Sequence, residues 1–425
     1  MEIINYPAFD EKCYFEELPN GLKVYIFHKP DYSSSAVAFG TPYGALDIHQ
    51  NYRGKHYDFH PGIAHFMEHK VFEDEEGDVM GRFMELGANV NAFTSYQETV
   101  YHFFLTGRHN FDKCLNLLLD FVQDFNVSKE SVEKEKPIIN QEISMYLQQP
   151  ITRLINETYS ALYHNYPLKY DIGGNRETVN ATTKEELDEC YRINYHPSNM
   201  ILSIVSFIDP EEIMEIVRTN QKGKNFVKES VAVNENEPEP IEVAKKHYSF
   251  HMDVNSSKVI YAAKLDYSHY TDDEQIVIEF VLSKYFQMCF SNLNPDYQKW
   301  LDEGLINDFF GCEFEVESDY AYVLFYSECD DEEQFKVFID GILANFKPSE
   351  TKFDELKRRF IGEFFNEFND FENFNITFMR NALDNINIFR IYDLIANTTF
   401  DDLLSEVNKL DLSHYSLISL LPNKE

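Results

Sequence analysis

A polar, proline-bearing stretch near the middle of the chain limits its fold more than any other feature. Residues 222–243 begin with Lys-Gly-Lys-Asn and pass through Asn-Glu-Asn-Glu-Pro-Glu-Pro at 234–240, with little apolar periodicity. Such a segment cannot anchor itself in a hydrophobic core and is typical of a linker. We therefore predict one domain at residues 1–221, a linker at 222–245 and a second domain at 246–425, both domains being of ordinary size.

Both halves mix strand-like and helix-like patterns. In the first half, strands are predicted near 21–27, 35–39, 89–95, 99–106 and 201–207, and helices near 62–73, 77–86, 110–125 and 128–149. The second half repeats the scheme, with strands near 256–262, 314–328 and 415–420 and helices from about 273, at 331–346 and at 350–371. This mixed order predicts layered α+β domains and not a parallel, doubly wound sheet.

Composition narrows the class of protein. The formal net charge of −36 argues against binding to nucleic acid or to anionic membranes, since both partners attract basic surfaces. No uncharged stretch approaches the roughly 20 residues that span a membrane, and the first residues carry no targeting signal. The six cysteines are isolated, which predicts buried thiols and not a disulfide framework. We expect a soluble, cytoplasmic protein.

The motif His65-Phe-Met-Glu68-His69 carries the clearest chemistry. On a helix, His65 and His69 lie one turn apart on one face, so both imidazoles can reach the same metal ion. Zinc suits imidazole ligands, and a catalytic zinc takes three protein ligands and a water. Glu68 projects to the same side and can accept the proton of that water. The alternative is that these are ordinary surface or core histidines.

A third ligand is predicted on the helix that follows Ser128. Glu135 and Glu142 are seven residues apart, so two helical turns bring them to one face. Either glutamate can face the metal while the other orients a histidine. Pro137 falls between them and should kink the helix. The spacing leaves both assignments open, with Glu142 slightly ahead.

Four motifs of the chain resemble those of the insulinase (pitrilysin, inverted zinc motif) peptidase family. They are His65-Phe-Met-Glu68-His69, Gly87-Ala-Asn-Val-Asn91-Ala92-Phe93-Thr94-Ser95, the pair Glu135 and Glu142, and Tyr195-His-Pro-Ser-Asn199-Met200. The resemblance is closest to the shorter branch of the family, which includes the mitochondrial processing peptidases and paired bacterial insulinase-like proteins. It is strongest over the first 210 residues.

The resemblance implies a role for each residue of these motifs. One zinc ion per chain would be bound by His65, His69 and Glu142, with Glu68 as the general base and Glu135 as a supporting acid. Asn91, Ala92, Phe93 and Thr94 would lie on an edge strand to which a substrate peptide adds as a further strand. Strand addition holds an extended backbone through main-chain hydrogen bonds, which suits cleavage of a peptide bond at the metal.

The resemblance also implies a fold and a partner. The family folds as a pair of related α+β domains, each a mostly antiparallel sheet packed with helices, and catalysis needs two such pairs around a chamber. This chain has the length of one pair. Where catalytic pairs carry an arginine and a tyrosine that bind the substrate carbonyl, the best alignment gives Gln298 and Leu305, and a leucine cannot stabilise an oxyanion.

We therefore expect a zinc-dependent endopeptidase that cleaves peptides or short unfolded segments in a chamber formed with a metal-free homologous subunit. A homodimer is the alternative assembly. The alternative function is a non-catalytic assembly or binding subunit that keeps the family fold.

Overall fold

The computed structural model describes residues 1–74 and 77–423. Its strands are β1 (Glu2–Tyr6), β2 (Glu11–Glu17), β3 (Lys23–His28), β4 (Ser34–Thr41), β5 (His49–Tyr52), β6 (Lys55–Asp58), β7 (Glu73–Asp74), β8 (Gly77–Asp78), β9 (Ala88–Thr94), β10 (Thr99–Thr106), β11 (Ile201–Ser206), β12 (Val233–Asn234), β13 (His247–Met252), β14 (Lys258–Leu265), β15 (Gly311–Val316), β16 (Ala321–Glu328) and β17 (Tyr415–Pro422).

Its α-helices are α1 (Ile63–Val71), α2 (Val79–Glu85), α3 (Phe111–Val122), α4 (Lys129–Leu147), α5 (Pro150–Leu162), α6 (Arg176–Ala181), α7 (Lys184–Asn194), α8 (Pro210–Lys222), α9 (Asp272–Phe290), α10 (Tyr297–Asp302), α11 (Glu332–Asn345), α12 (Glu350–Glu367), α13 (Phe371–Leu383), α14 (Ile388–Asn397) and α15 (Phe400–Val407). Short 3-10 turns occupy Pro7–Phe9, Pro167–Lys169 and Pro197–Asn199.

The first compact unit comprises residues 1–144, 170–236 and 365–389. It is built on a seven-stranded sheet in the order β1-β2-β3-β11-β4-β10-β9, in which only β3 and β11 are parallel. Strands β4 and β11 are buried along almost their whole length because both faces of this part of the sheet are covered. Strand β9 is the edge strand, so one side of its backbone has no neighbour in the sheet.

Helix α13 covers this sheet although it comes from the last quarter of the sequence. Met379 and Leu383 are buried against Ala38, Val100 and Ile201 of strands β4, β10 and β11. The first unit therefore completes its core with residues that follow the His65–His69 motif by some 300 positions.

The second compact unit comprises residues 145–169, 237–364 and 390–425. Its five-stranded sheet has the order β13-β17-β14-β16-β15, with only β13 and β17 parallel. Helix α9 lies in its core, where Phe286 and Phe290 contact Phe325 of β16. The prediction of two mixed α+β domains with mostly antiparallel sheets is confirmed.

The two sheets repeat one topology. In β3-β11-β4-β10-β9, the strands taken in chain order are the first, fifth, second, fourth and third, and β13-β17-β14-β16-β15 follows the same order. In both sets the first and last strands are parallel and the other pairs are antiparallel. Helices α1 and α2 therefore correspond to α9 and α10, and the edge strand β9 corresponds to β15.

The domain boundaries 1–221 and 246–425 stay a prediction. The compact units differ from a simple division of the chain, because residues 365–389 belong to the first unit and residues 145–169 to the second. The predicted linker 222–245 is partly ordered. Strand β12 pairs with β5, and Glu239 accepts hydrogen bonds from the backbone N–H groups of His164, Asn165 and Tyr166.

Two predicted helices differ from the observed ones. The helix predicted at 350–371 extends four residues beyond α12, which ends at Glu367, and the Asp370 side chain accepts from the Asn373 N–H to begin α13. The predicted helix 77–86 begins only at Val79, after β8, and residues 75 and 76 lie outside the described part of the chain. Phe364, Phe368 and Phe371 recur at helical spacing and form a phenylalanine stripe that is buried.

All six cysteines are free thiols, four of them buried and Cys312 and Cys329 partly exposed. Within residues 1–74 and 77–423, no helix combines the length and apolar character that crossing a bilayer demands.

Candidate metal centre

Helix α1 presents its histidines on one side because its other side is apolar. Ile63, Phe66, Met67 and Val71 are buried, whereas His65, Glu68 and His69 are partly exposed. The helix begins after Gly62, whose φ of +92° favours glycine. A Cβ at Gly62 would also lie 2.4 Å from the carbonyl oxygen of Gly173, so the loop around Gly173 fixes where α1 starts.

Glu142 of helix α4 faces both imidazoles. Its Oε1 atom lies 3.9 Å from Nε2 of His65, and its Oε2 atom lies 3.4 Å from Nε2 of His69. One ligand atom from each of the three residues lies within 4.8 Å of the others. Donor atoms around a tetrahedral zinc with bonds of about 2.0–2.2 Å are roughly 3.3 Å apart. Two imidazole nitrogens and a carboxylate at these separations fit zinc.

Glu135 lies behind His69. Its Oε1 atom is 3.1 Å from Nδ1 of His69, and Nζ of Lys70 donates to its Oε2 atom at 3.3 Å. The hydrogen bond with His69 lowers the pKa of Glu135 despite its burial, so the carboxylate stays ionised and fixes the ring. Such an outer carboxylate leaves Nε2 of His69 as the nitrogen that can bind a metal.

His65 has a different environment. Its Nδ1 atom is buried without a hydrogen-bond partner in the described part of the chain. Burial, together with the neighbouring His69, lowers the pKa of His65 to about 4. The imidazole is therefore neutral at pH 7, the form in which a histidine binds metal.

Glu68 is held apart from the three converging residues. Thr94 Oγ1, at the end of edge strand β9, donates to Oε2 of Glu68 at 3.0 Å. Burial raises the pKa of Glu68, while His69 and the hydrogen bond from Thr94 act in the opposite direction. A carboxylate with a raised pKa is suited to accept and return a proton near neutral pH.

Strand β9 brings Asn91, Ala92, Phe93 and Thr94 beside α1. The N–H of Ala92 donates to the side chain of its neighbour Asn91 at 3.0 Å. On an edge strand, such an N–H would otherwise have only water as its acceptor.

Several contributors to the centre were not predicted from the sequence. Lys70 is almost fully buried and bonds Glu73, Ser131 and Glu135. Gly174 also has a positive φ, and a Cβ there would lie 2.3 Å from the carbonyl oxygen of Pro61. The adjacent glycines Gly173 and Gly174 are visible in the sequence as a sign of a loop. Their contact with the start of α1 is not, because it joins distant parts of the chain.

Gln298 and Leu305 lie on the surface of the second unit. Gln298 donates to Asp302 within α10 at 2.9 Å, and Leu305 is half exposed.

Comparison with known proteins decides the family. Residues 54–176 match the family model described as insulinase (peptidase family M16), and residues 181–360 match the model described as the peptidase M16 inactive domain. Over 410 residues, the chain is 32% identical to the uncharacterized zinc protease YmfH of Bacillus subtilis (strain 168), covering 96% of this chain and 95% of that protein. The chain belongs to the insulinase (M16) peptidase family.

Other relatives extend the comparison. The M16 protein is 28% identical over 211 residues to a probable mitochondrial-processing peptidase subunit beta of Schizosaccharomyces pombe, covering 47% of this chain and 42% of that one. A crystal structure of an M16-like peptidase from Alicyclobacillus acidocaldarius matches with a TM-score of 0.90 and 28% identity, covering 99% of this chain and 100% of that chain. The resemblance to this family inferred from the sequence is confirmed.

Proposed function

We propose that this M16 protein is a zinc-dependent endopeptidase. The observation that carries the proposal is the convergence of His65, His69 and Glu142 within 4.8 Å, with Glu68 beside them and outside the ligand set. His65, His69 and Glu142 would hold one zinc ion per chain. When bound, zinc supplies a Lewis acid that lowers the pKa of a water molecule and polarises a peptide carbonyl.

Glu68 has the proton-transfer role in this proposal. Its carboxylate takes a proton from the attacking water and returns it to the amine of the departing peptide, so the enzyme regains its starting state. Thr94 orients that carboxylate, and Glu135 holds the ring of His69. Each of the three glutamates therefore has a separate task.

Strand β9 would bind the substrate. A peptide that adds to this edge pairs its backbone with residues 91–94, and its carbonyl group can replace Asn91 as the acceptor of the Ala92 N–H. Because Thr94 connects the end of this strand to Glu68, the added peptide would lie next to the general base. Main-chain pairing of this kind favours extended peptides and short unfolded segments over folded proteins.

The proposed assembly includes a second subunit. Gln298 and Leu305 occupy the positions aligned with the family's carbonyl-binding arginine and tyrosine, and neither carries a charge. A metal-free homologous subunit would supply those groups across a chamber. We place peptide processing or degradation by this heterodimer in the cytoplasm.

The test is cleavage of a mixed peptide library by the untagged, zinc-loaded chain, read by mass spectrometry, alone and with homologous metal-free subunits from the same organism. Cleavage that a chelator abolishes and zinc restores supports the endopeptidase. Cleavage only in the mixture supports the required partner, and full activity of the isolated chain would overturn that part of the proposal.

The alternative is a non-catalytic assembly subunit, which the uncharged pair Gln298 and Leu305 favours. This alternative predicts that the protein purified without chelators contains no zinc, that adding zinc restores no activity, and that no mixture cleaves peptides.

A further inference from the structure

A second group of metal-binding side chains lies on the hairpin that precedes α1. Within the described residues, His49, His56 and Asp58 bring one ligand atom each within 4.8 Å of one another, as the catalytic set does. His49 is paired with Asp58 across strands β5 and β6, and His56 is two residues before Asp58 on the same strand. The three side chains therefore share one face of the hairpin.

The distances within this group are short. Nδ1 of His49 lies 2.7 Å from Oδ1 of Asp58, and Nε2 of His56 lies 2.9 Å from the same oxygen. The other ring nitrogen of His56, Nδ1, lies 2.9 Å from Oε2 of Glu235, which directly follows strand β12. Glu235 is held in place by its own N–H, which donates to the carbonyl oxygen of His49 at 2.8 Å.

This arrangement needs a cation at His56. A neutral imidazole has one N–H and one lone pair, yet both nitrogens of His56 face carboxylate oxygens. In a neutral ring, one of the two nitrogens would therefore direct its lone pair at a carboxylate oxygen. This repulsion is removed when an additional proton or a metal ion lies between that nitrogen and the oxygen.

Glu235 makes the metal-bound arrangement favourable. When Nδ1–H of His56 donates to Glu235, the Nε2 lone pair points toward Asp58 and His49. A carboxylate behind a metal-binding histidine has this role in many zinc sites, and it also raises the basicity of the ligand. The donor atoms must separate by only a few tenths of an ångström to reach the roughly 3.3 Å spacing around zinc.

We propose that His49, His56 and Asp58 form a second metal site, which binds one divalent transition metal ion of the zinc, cobalt or nickel class, with Glu235 as the outer carboxylate. Two imidazoles select these ions over magnesium and calcium, which prefer oxygen ligands. His56 and Asp58 are exposed and His49 is partly exposed, so the ion enters from solvent and water completes its coordination. No residue is shared with the catalytic set.

The site has a structural consequence. Strand β12 consists of only Val233 and Asn234, and both residues are exposed. Its pairing with β5 is therefore weakly held by packing. A metal bound to His56 strengthens the contact with Glu235 and so fastens β12 to the hairpin.

Metal stoichiometry tests the proposal. The untagged chain, stripped of metal and equilibrated with buffered micromolar zinc, is expected to hold two zinc ions per chain by mass spectrometry of the metal. His49→Ala with His56→Ala should hold one, and so should His65→Ala with His69→Ala. The matched control is His247→Ala, an exposed strand histidine that also contacts two glutamates but belongs to no group of three metal-binding side chains in the described part of the chain.

The hairpin site is supported if the wild type and the control each hold two zinc ions and the hairpin variant holds one. Zinc that is unchanged by the hairpin substitutions would overturn it, whether or not the catalytic set binds. If the hairpin variant loses one zinc ion and the variant with His65→Ala and His69→Ala loses none, the result would contradict the proposed peptidase. This inference would still stand.

Hydrogen exchange supplies a second readout. Adding zinc to the apoprotein should slow exchange at the amides of residues 233–235 several-fold in the wild type and not in the hairpin variant. Glu235→Gln should weaken zinc binding at this site by about tenfold, since it removes only the outer carboxylate. Equal exchange with and without zinc, or full affinity in Glu235→Gln, would contradict the role given to Glu235.

Discussion

Three glutamates of the metal centre differ in their neighbours, and these differences separate their functions. Glu142 has both carboxylate oxygens near histidine Nε2 atoms, Glu135 accepts from the far side of His69, and Glu68 accepts from Thr94. Burial raises the pKa of Glu68, whereas the hydrogen bond from His69 lowers that of Glu135. The same residue type can therefore serve as ligand, as base and as support.

Thr94→Val tests the link between the substrate strand and the base. The substitution keeps the shape of the side chain but removes the hydroxyl that donates to Glu68. We expect turnover in peptide cleavage to fall about tenfold, since a hydrogen bond to a charged group contributes about 1.5 kcal/mol or more, while zinc content stays unchanged. Thr94→Ser keeps the hydroxyl and should stay near the wild-type rate. Equal turnover in both variants would contradict this role.

At this scale the sequence predicted much of the centre. The spacing of His65, Glu68 and His69 on one helix, and of Glu135 and Glu142 on another, is local information that helical periodicity makes readable. The structure brings the two helices together as those patterns required. The contacts of Lys70 with Ser131 and Glu135, the loop at Gly173 and the contact between His56 and Glu235 depend on pairings between distant segments, which periodicity does not encode.

At the scale of elements, helix α13 illustrates how the two parts of the sequence are interleaved. Its residues Met379 and Leu383 complete the core above β4, β10 and β11 in the first unit. A division of the chain at residues 222–245 assigns α13 to the other half, since local sequence gives no sign of which sheet a helix covers.

Met379→Ala tests this packing. Because Met379 is fully buried, the truncation should lower the free energy of unfolding by about 3 kcal/mol through lost apolar contact and the cavity left behind. Urea unfolding followed by circular dichroism measures the change. Met84→Ala removes an exposed methionine and should change stability little. Equal effects of the two substitutions would mean that α13 does not cover the sheet.

Glu239 is the firmest attachment of the connecting segment. It pairs with Lys264 at 2.6 Å and accepts from three backbone N–H groups, and both charged side chains are largely buried. Burial acts to raise the pKa of Glu239, but Lys264 and the N–H donors outweigh it and leave the pKa below its ordinary value. The predicted linker is therefore partly a docked segment of the second unit.

Glu239→Gln should lower the free energy of unfolding by about 3 kcal/mol at pH 7, because Lys264 then keeps a buried charge without its partner. Since the folded-state pKa of Glu239 is depressed, its contribution is present above the unfolded-state pKa and is lost as the pH falls through the folded value. The difference between variant and wild type in urea unfolding should thus shrink toward acid pH. A difference in the free energy of unfolding that grows toward acid pH would contradict this assignment. The control is Glu237→Gln, which changes an exposed glutamate two residues away.

Among the elements, long periodic helices such as α3 and α4 were predicted closely, whereas the short helices α6 and α10 were not predicted. The hairpin β5–β6 has only four residues in each strand, too few to establish an alternating pattern. The break between α12 and α13 depends on the cap at Asp370, whereas the phenylalanine stripe across it continues with helical spacing. Apolar periodicity alone therefore extended the predicted helix past the end of α12, as far as residue 371.

At the scale of the whole molecule, the repeated topology makes the asymmetry of the two units visible. Helix α9 occupies in the second sheet the topological position of α1 in the first, yet Asp272–Phe290 contains no histidine. One unit thus carries the candidate centre while its counterpart keeps the fold without the ligands. The order of strands is common to both and cannot by itself reveal which unit has the chemistry.

In the proposed metal centre, His65, His69 and Glu142 hold zinc while Glu68 stays outside the ligand set. The test makes the same substitution at two positions, Glu142→Gln and Glu68→Gln, and measures the dissociation constant of zinc for each variant. Both variants also carry His49→Ala and His56→Ala, which remove the hairpin site. We predict that Glu142→Gln weakens zinc binding by at least about a hundredfold, more than loss of an outer partner, and that Glu68→Gln changes it less than about threefold. Equal weakening by both substitutions, or retention of tight zinc by Glu142→Gln, would contradict the assignment of ligand and base.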